Sequence, residues 1–128
     1  MTDFLSNRFT LFFKRSDGYA KHVLNRCMKT GGRYDKTTHA MINVPGIYTA
    51  YIGDWEDFRG GKYTLSKGDL IVFSSVPDSA PQSSDDFDAL ADKYNDGSRG
   101  MIIANVSENV LFDGGTPWSI NHIEVTNG

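Results

Sequence analysis

At 128 residues the chain is the size of a single domain, and 39% hydrophobic with 23% charged content describes a globular protein that can bury a core without crosslinks. The net charge of −3 carries no basic excess that would advertise nucleic-acid binding or a basic membrane-facing patch, and the lone cysteine, Cys27, excludes an internal disulfide framework and fits a reducing compartment. No stretch approaches the ~20 apolar residues of a membrane span, and the first residues, Met1 to Arg8, lack the apolar run of a signal peptide, so a soluble, cytosolically made protein is expected.

Phe9 to Lys14 reads as a strand, with Phe9, Leu11 and Phe13 on one face. Ser16-Asp17-Gly18 is a hairpin turn of the Asp-Gly type, and Tyr19 to Met28 returns as the second strand. Tyr19, Val23 and Cys27 also recur every four residues, which leaves a short helix open there. Met28 to His39 is polar and basic, with Lys29, Gly31, Gly32, Arg33 and Lys36, and is expected to be a mobile loop. Ala40 to Val44 is a short strand stopped by Pro45, which cannot donate to a ladder, and Ile47 to Ile52 extends it with Tyr48 and Tyr51. Gly53 to Gly61 is a loop with room for one helical turn, pinned by Trp55 and Phe58.

Tyr63 to Phe73 is expected to organise the fold. Leu70, Ile71, Val72 and Phe73 are apolar in succession, which in a strand buries both faces. The turn before them is Lys67-Gly68-Asp69, with Gly at the φ > 0 position and Asp bonding its own backbone. Ser74 to Ser84 is a Ser/Pro-rich linker. Asp85 to Tyr94 is the one convincing helix: Phe87, Leu90, Ala91 and Tyr94 form a stripe, Ser84 or Asp85 caps it, early aspartates complement the dipole, and Gly97 ends it. Arg99 to Val106 is a second strongly apolar strand, Asn109 to Pro117 a turn, and Trp118 to Val125 the last strand, with a phase flip between Ile120 and Ile123 that suggests a bulge or an edge. The fold class expected is mainly β: a small, strongly bent sheet or partly closed barrel of five to six strands, with one short α-helix covering an opening.

Catalytic chemistry is not expected. His22, His39, His122 and Cys27 lack metal-ligand spacing. Asp54, Glu56 and Asp57 read as a solvated loop, and Asp85, Asp86 and Asp88 as a helix N-terminus. No serine sits in Gly-x-Ser-x-Gly, and neither Gly31-Gly32 nor Gly60-Gly61 precedes the Gly-Lys-Ser/Thr of a phosphate loop. No cofactor or metal is implied. Lys29, Arg33 and Lys36 beside Tyr34 have the chemistry to contact phosphates, although a solvated basic loop is the commoner outcome. Trp55 and Trp118 suit either a stacking platform or core and interface anchoring.

The order of these signals resembles the small minor capsid, or head-closure, proteins of tailed bacteriophages of Gram-positive hosts, the stopper-like head–tail connectors. Phe9-Thr-Leu-Phe-Phe-Lys resembles the family's opening thr-leu-tyr-asn-lys strand, and Asn43-Val44-Pro45 its mid-chain ile-pro strand end. Tyr63-Thr-Leu-Ser-Lys-Gly-Asp-Leu-Ile-Val resembles trp-thr-leu-x-x-gly-asp-ile-ile-val. Lys93-Tyr94, Val106-Ser107-Glu108-Asn109 and the aromatic-containing run from Trp118 to Gly128 resemble the family's tail, with Glu108 where the motif carries Asp. The resemblance implies a virion protein of the phage neck that does no chemistry. Such proteins form a ring of copies beneath the portal and adaptor, close the channel over packaged double-stranded DNA without sequence specificity, and dock the tail through tail-terminator or tail-tube proteins. On that expectation, Lys29, Arg33, Tyr34, Lys36, Trp55, Phe58 and Arg59 are the candidate channel or inter-subunit residues. The alternative is a free-standing β-rich module that binds a carbohydrate or peptide through Tyr51, Trp55 and Trp118.

Overall fold

The computed structural model describes residues 7–35, 37–42, 44–109 and 122–128. The strands are β1 (Asn7–Arg15), β2 (Gly18–Gly31), β3 (Arg33–Asp35), β4 (Ala40–Ile42), β5 (Tyr48–Ile52), β6 (Leu70–Val72), β7 (Gly100–Ile102), β8 (Asn105–Asn109) and β9 (His122–Thr126); the helices are α1 (Trp55–Arg59) and α2 (Ser84–Tyr94). Seven strands form one strongly curled half-barrel in the order β7-β6-β1-β2-β5-β9-β8, and β3 and β4 form a separate two-stranded ladder. Every pairing in the large sheet is antiparallel.

The expected hairpin is there: Lys14 pairs with Tyr19 and Arg15 with Gly18 across the Ser16-Asp17 turn, so Tyr19 to Cys27 is strand and not helix. Alternation along β1 sends Leu11 and Phe13 to the inside of the curl and Phe12 to the outside. On the inside they meet Leu24, Ala50, Ile52, Tyr63, Ile71, Met101, Ile103, Ile123 and Val125, which make the main core. On the outside Phe12 meets Leu70, Val72 and Tyr94. Leu70, Ile71 and Val72 are all fully buried, as a strand covered on both faces requires, although the strand itself is only three residues long.

Helix α2 supplies the outer cover. Tyr94 is buried, Phe87 and Leu90 pack beside it, and the Phe87 ring stacks on Tyr19 at 5.1 Å. The helix therefore lies on the back of β1 and β6 rather than over an opening, because Phe12, Leu70 and Val72 need an apolar partner there. Its cap is Ser83, one residue before the expected Ser84: Ser83 is extended at φ −154°, and its hydroxyl accepts from the Asp86 amide at 3.2 Å. Asn95, not Gly97, follows the last turn.

Two irregularities shape the sheet. Asn7 faces Cys27 while Phe9 faces Leu24, so β2 holds one extra residue at Asn25–Arg26. That bulge puts Leu24 and Cys27 on the same inner face although they are three apart. The second is a corner. The apolar run expected as one strand from Arg99 to Val106 is split at Ile103–Ala104. Its first half, β7, pairs with β6, and its second half, β8, pairs with β9. Ile103 still exchanges backbone bonds with Gly68 and Asp69 at 2.8 Å each, and the Ala104 amide already donates to Thr126. One bent run thus serves both edges of the curl, and this is why seven strands appear where five or six were expected. Close to it, Gly100 is required by space: a Cβ there would stand 2.7 Å from the Ile71 carbonyl oxygen and 3.1 Å from that of Tyr94.

Met28 to His39 is not a loop. β2 continues to Gly31, and β3 and β4 make a hairpin from the rest. The polar sequence of β3, Arg33-Tyr34-Asp35, hid it, since it carries no apolar alternation. The expected turn at 110–117 and residues 118–121 of the last strand lie outside the described residues.

Candidate functional site

The β3–β4 hairpin is the arm of this molecule. Arg33 pairs with Ile42, Tyr34 with Met41 and Asp35 with Ala40, and neither strand joins the barrel's ladder. Thr37, Thr38 and His39 at its turn are exposed, and His39 holds a left-handed φ of 56°.

The arm's root is firm. Gly32 is buried with φ 81°, a conformation glycine adopts without a Cβ penalty. Its amide donates to the Ile47 carbonyl at 2.7 Å, and its carbonyl accepts from the Thr49 hydroxyl at 2.9 Å. On the other side the chain turns at Pro45-Gly46, where the Ile47 amide donates to Val44. Asn127 staples this turn: its side-chain amide donates to the Gly46 carbonyl, and its oxygen accepts from the Tyr48 amide, both at 2.8 Å. The arm is therefore carried on β2, β5 and the residues just after β9.

The sequence-derived candidates divide between the arm and the body. Arg33 and Tyr34 are on β3, and Lys36 lies outside the described residues. Lys29 belongs to the body: it is on β2, its ammonium sits over the Phe73 ring at 4.6 Å and the Tyr48 ring at 5.1 Å, and it donates to the Ser98 carbonyl. Trp55, Phe58 and Arg59 are in α1, with Trp55 opening it and Arg59 exposed in its last turn. Of the alternative platform, Tyr51 is on β5, half-buried, paired across from Glu124, and Trp118 lies outside the described residues.

Helix α1 is clamped by polar bonds as much as by aromatic packing. Asp54 accepts from the amides of Asn25 and Arg26, both at 2.9 Å, which satisfies the two donors that the β2 bulge frees. Gly53 donates to the Arg26 carbonyl, and the Tyr63 hydroxyl donates to the Asp54 carbonyl. Phe58 packs against Tyr63 at 5.7 Å between ring centres, and His22 stacks on the same ring at 4.8 Å. Asp57 stands 3.8 Å from His22 and 3.5 Å from Lys62.

Burial sets the protonation of two groups in this region. Burial, with a smaller push from the Asp54 charge, raises the Cys27 thiol far above its usual range, and burial raises the Tyr63 phenol likewise. Both stay protonated, and a protonated buried thiol is a packing group rather than a nucleophile. Asp69 is also raised by burial, opposed by the amides of Lys14 and Ser66 that its carboxylate accepts. Among the described residues no three His, Cys, Asp or Glu side chains gather as a metal site, and no helix is long and apolar enough to cross a membrane.

Comparison with protein-family models, with curated proteins and with solved structures finds no match for this chain.

Two residues that position this surface, Asp54 and Asn127, escaped the sequence in that role. Asp54 reads locally as one acid among several, because the bulge it satisfies is 28 residues away. Asn127 and Gly46 are 81 residues apart, and no local pattern announces a contact of that separation. For Lys29 a signal existed: Lys29 and Gly31 continue the alternation of β2 past Cys27, onto the face of Ala50 and Tyr48.

Proposed function

We propose that this chain is a structural protein of a tailed-phage neck, one subunit of a ring between the portal or adaptor and the tail that closes the DNA channel and docks the tail. The observation that carries this reading is the arm: a two-stranded ladder, outside the barrel's own hydrogen bonding, standing on a root fixed by Gly32, Ile47 and Asn127. A subunit that works by meeting copies of itself needs a body that holds its shape and an extension that reaches a neighbour. The barrel with its two-sided core is the first, and the arm is the second.

The motif resemblance supplies the particular assembly. The net charge of −3 suits a channel through which DNA moves, since neutralising many phosphates would hold it in place. Arg33 on β3, with Lys36 three residues on in the sequence, supplies cations for a contact with a neighbour or with passing phosphates.

The test is complementation in the virus that encodes the chain. Particles are assembled with a variant in which residues 33–42 are replaced by a two-residue Asn-Gly turn, and with an intact, epitope-tagged chain. Electron microscopy of the tagged particles should place the label at the neck. The shortened variant should give full heads that lose DNA or lack tails, with infectious titre down by orders of magnitude. Label absent from particles would overturn the neck assignment; normal titre from the shortened chain would overturn the role of the arm.

A further inference from the structure

A groove of about 460 Å³ opens at the turn end of the β1–β2 hairpin. Lys14 and Arg15 close β1 on one side, Lys67 stands on the turn opposite, and the stacked rings of Tyr19 and Phe87 form a wall. All three cations are exposed. Among the described residues neither Lys14 nor Lys67 has an ion-pair partner, and Arg15 spends one guanidinium nitrogen on the Lys62 carbonyl. The groove's carboxylate, Asp69, is buried and turned to the backbone amides of Lys14 and Ser66. A groove lined by three cations against one carboxylate, on a chain of net charge −3, calls for an anionic occupant.

The same chain carries the complement. Asp85, Asp88 and Asp92 fall at i, i+3 and i+7 on α2, so they share one stripe. They are exposed, and among the described residues none has an ion-pair partner. At about 100° per residue this stripe points away from Phe87, the residue α2 gives to the groove. A subunit cannot fold its own stripe into its own groove.

We infer that the groove receives the acidic α2 stripe of a second copy of this chain, with carboxylates of the stripe seated between Lys14, Arg15 and Lys67. Groove and stripe are different surfaces, so the contact is head-to-tail, and a head-to-tail contact whose rotation closes makes a ring. The inference rests on the neck reading for its biological setting, but its geometry and its test do not.

The experiment is self-association of the purified full chain, followed by sedimentation at low and at high salt, with three samples: wild type, Lys14→Glu/Lys67→Glu, and Asp88→Lys/Asp92→Lys. Wild type should associate at low salt and weaken with added salt. Each reversed variant alone should associate at least roughly tenfold more weakly, because like charges then face each other. An equimolar mixture of the two should recover association, since each reversed groove meets a reversed stripe. Circular dichroism melts, with Lys14→Gln/Lys67→Gln as a milder groove variant, confirm that the fold is kept. Association unchanged by either reversal, failure of the mixture to recover, or a monomeric wild type at every salt would overturn the inference. Salt-sensitive retention of duplex DNA that the groove variants abolish, with no self-association, would also overturn it in favour of phosphate as the occupant. Recovery in the mixture together with absence of the chain from virions would leave the inference standing and remove the neck reading.

Discussion

Between Phe9 and Phe13 five consecutive residues are buried, because the inside of the curl takes Phe9, Leu11 and Phe13 while α2 and the segment after β6 cover Phe12 and Thr10. Between Arg33 and Ile42 the chain makes a ladder with itself alone, and its turn faces solvent. Both regions are antiparallel hairpins, and both are held by the same kind of backbone bond. The difference is that β1 and β2 are locked by two apolar layers, whereas β3 and β4 form a two-stranded ladder of their own, outside the large sheet. Hydrogen bonds position a strand, but burial decides what it costs to change it, since a net hydrogen bond contributes about 1 kcal/mol and a buried Phe several times that.

The sharpest way to break the contrast is at Phe12. Phe12→Ala removes the one β1 side chain in the outer core and should cost about 3–5 kcal/mol in chemical denaturation. A loss under 1 kcal/mol would mean that α2 is only loosely applied to the sheet. Gly100→Ala drives a methyl group against the Ile71 carbonyl where β7 meets β6 and the end of α2, and should cost about 1–3 kcal/mol by the same measurement. Replacing residues 33–42 with an Asn-Gly turn should shift stability by no more than about 0.5 kcal/mol, in the range of surface changes, however severely it affects assembly. Hydrogen exchange should sharpen this further, with the β3 and β4 amides exchanging far faster than those of β1.

The smallest effect is expected at Asp96, beyond the end of α2. The amides of Arg99 and Ser98 and the Arg99 guanidinium hold its carboxyl down to about 2. Its folded value is below its unfolded one, so its contribution is present above pH 4 and is lost as pH falls toward 2. Asp96→Asn should slightly lower stability above pH 4 and make no difference near pH 2, which flattens the acid limb of a stability–pH profile between those values; a loss that persists unchanged at pH 2 would refute the assignment.

Local patterns made the body legible. Asp17-Gly18 announced the first hairpin, the unbroken Leu70-Ile71-Val72-Phe73 announced burial on two faces, which holds for the first three while Phe73 lies past the strand and is half-buried, and Phe87, Leu90, Ala91 and Tyr94 announced α2. Long-range geometry was not legible. Nothing in Met101-Ile102-Ile103-Ala104 marks a corner, because the change of partner at Ile103 follows from the curl of the whole sheet. The helix's position on the back of β1 and β6 depended on knowing which neighbours Phe12 had. In the candidate site, the basic character of Arg33 and Lys36 and the strand at Ala40 were plain, but its partner strand β3 was not, since Arg33-Tyr34-Asp35 carries no apolar alternation, and the staple, Asn127, comes from far along the chain.

β9 sits between β5 and β8, although its residues leave the ribosome after every other strand of the sheet. Until they emerge, β5 and β8 each lack the neighbour that β9 supplies, and neither can pair with the other in its native place. An unpaired strand edge is a template for pairing with another chain, and the β5 edge stays open until β9 is made. A premature stop before His122 should yield aggregates rather than a slightly smaller soluble protein, and a chaperone that shields strand edges would find its substrate in the unfinished chain.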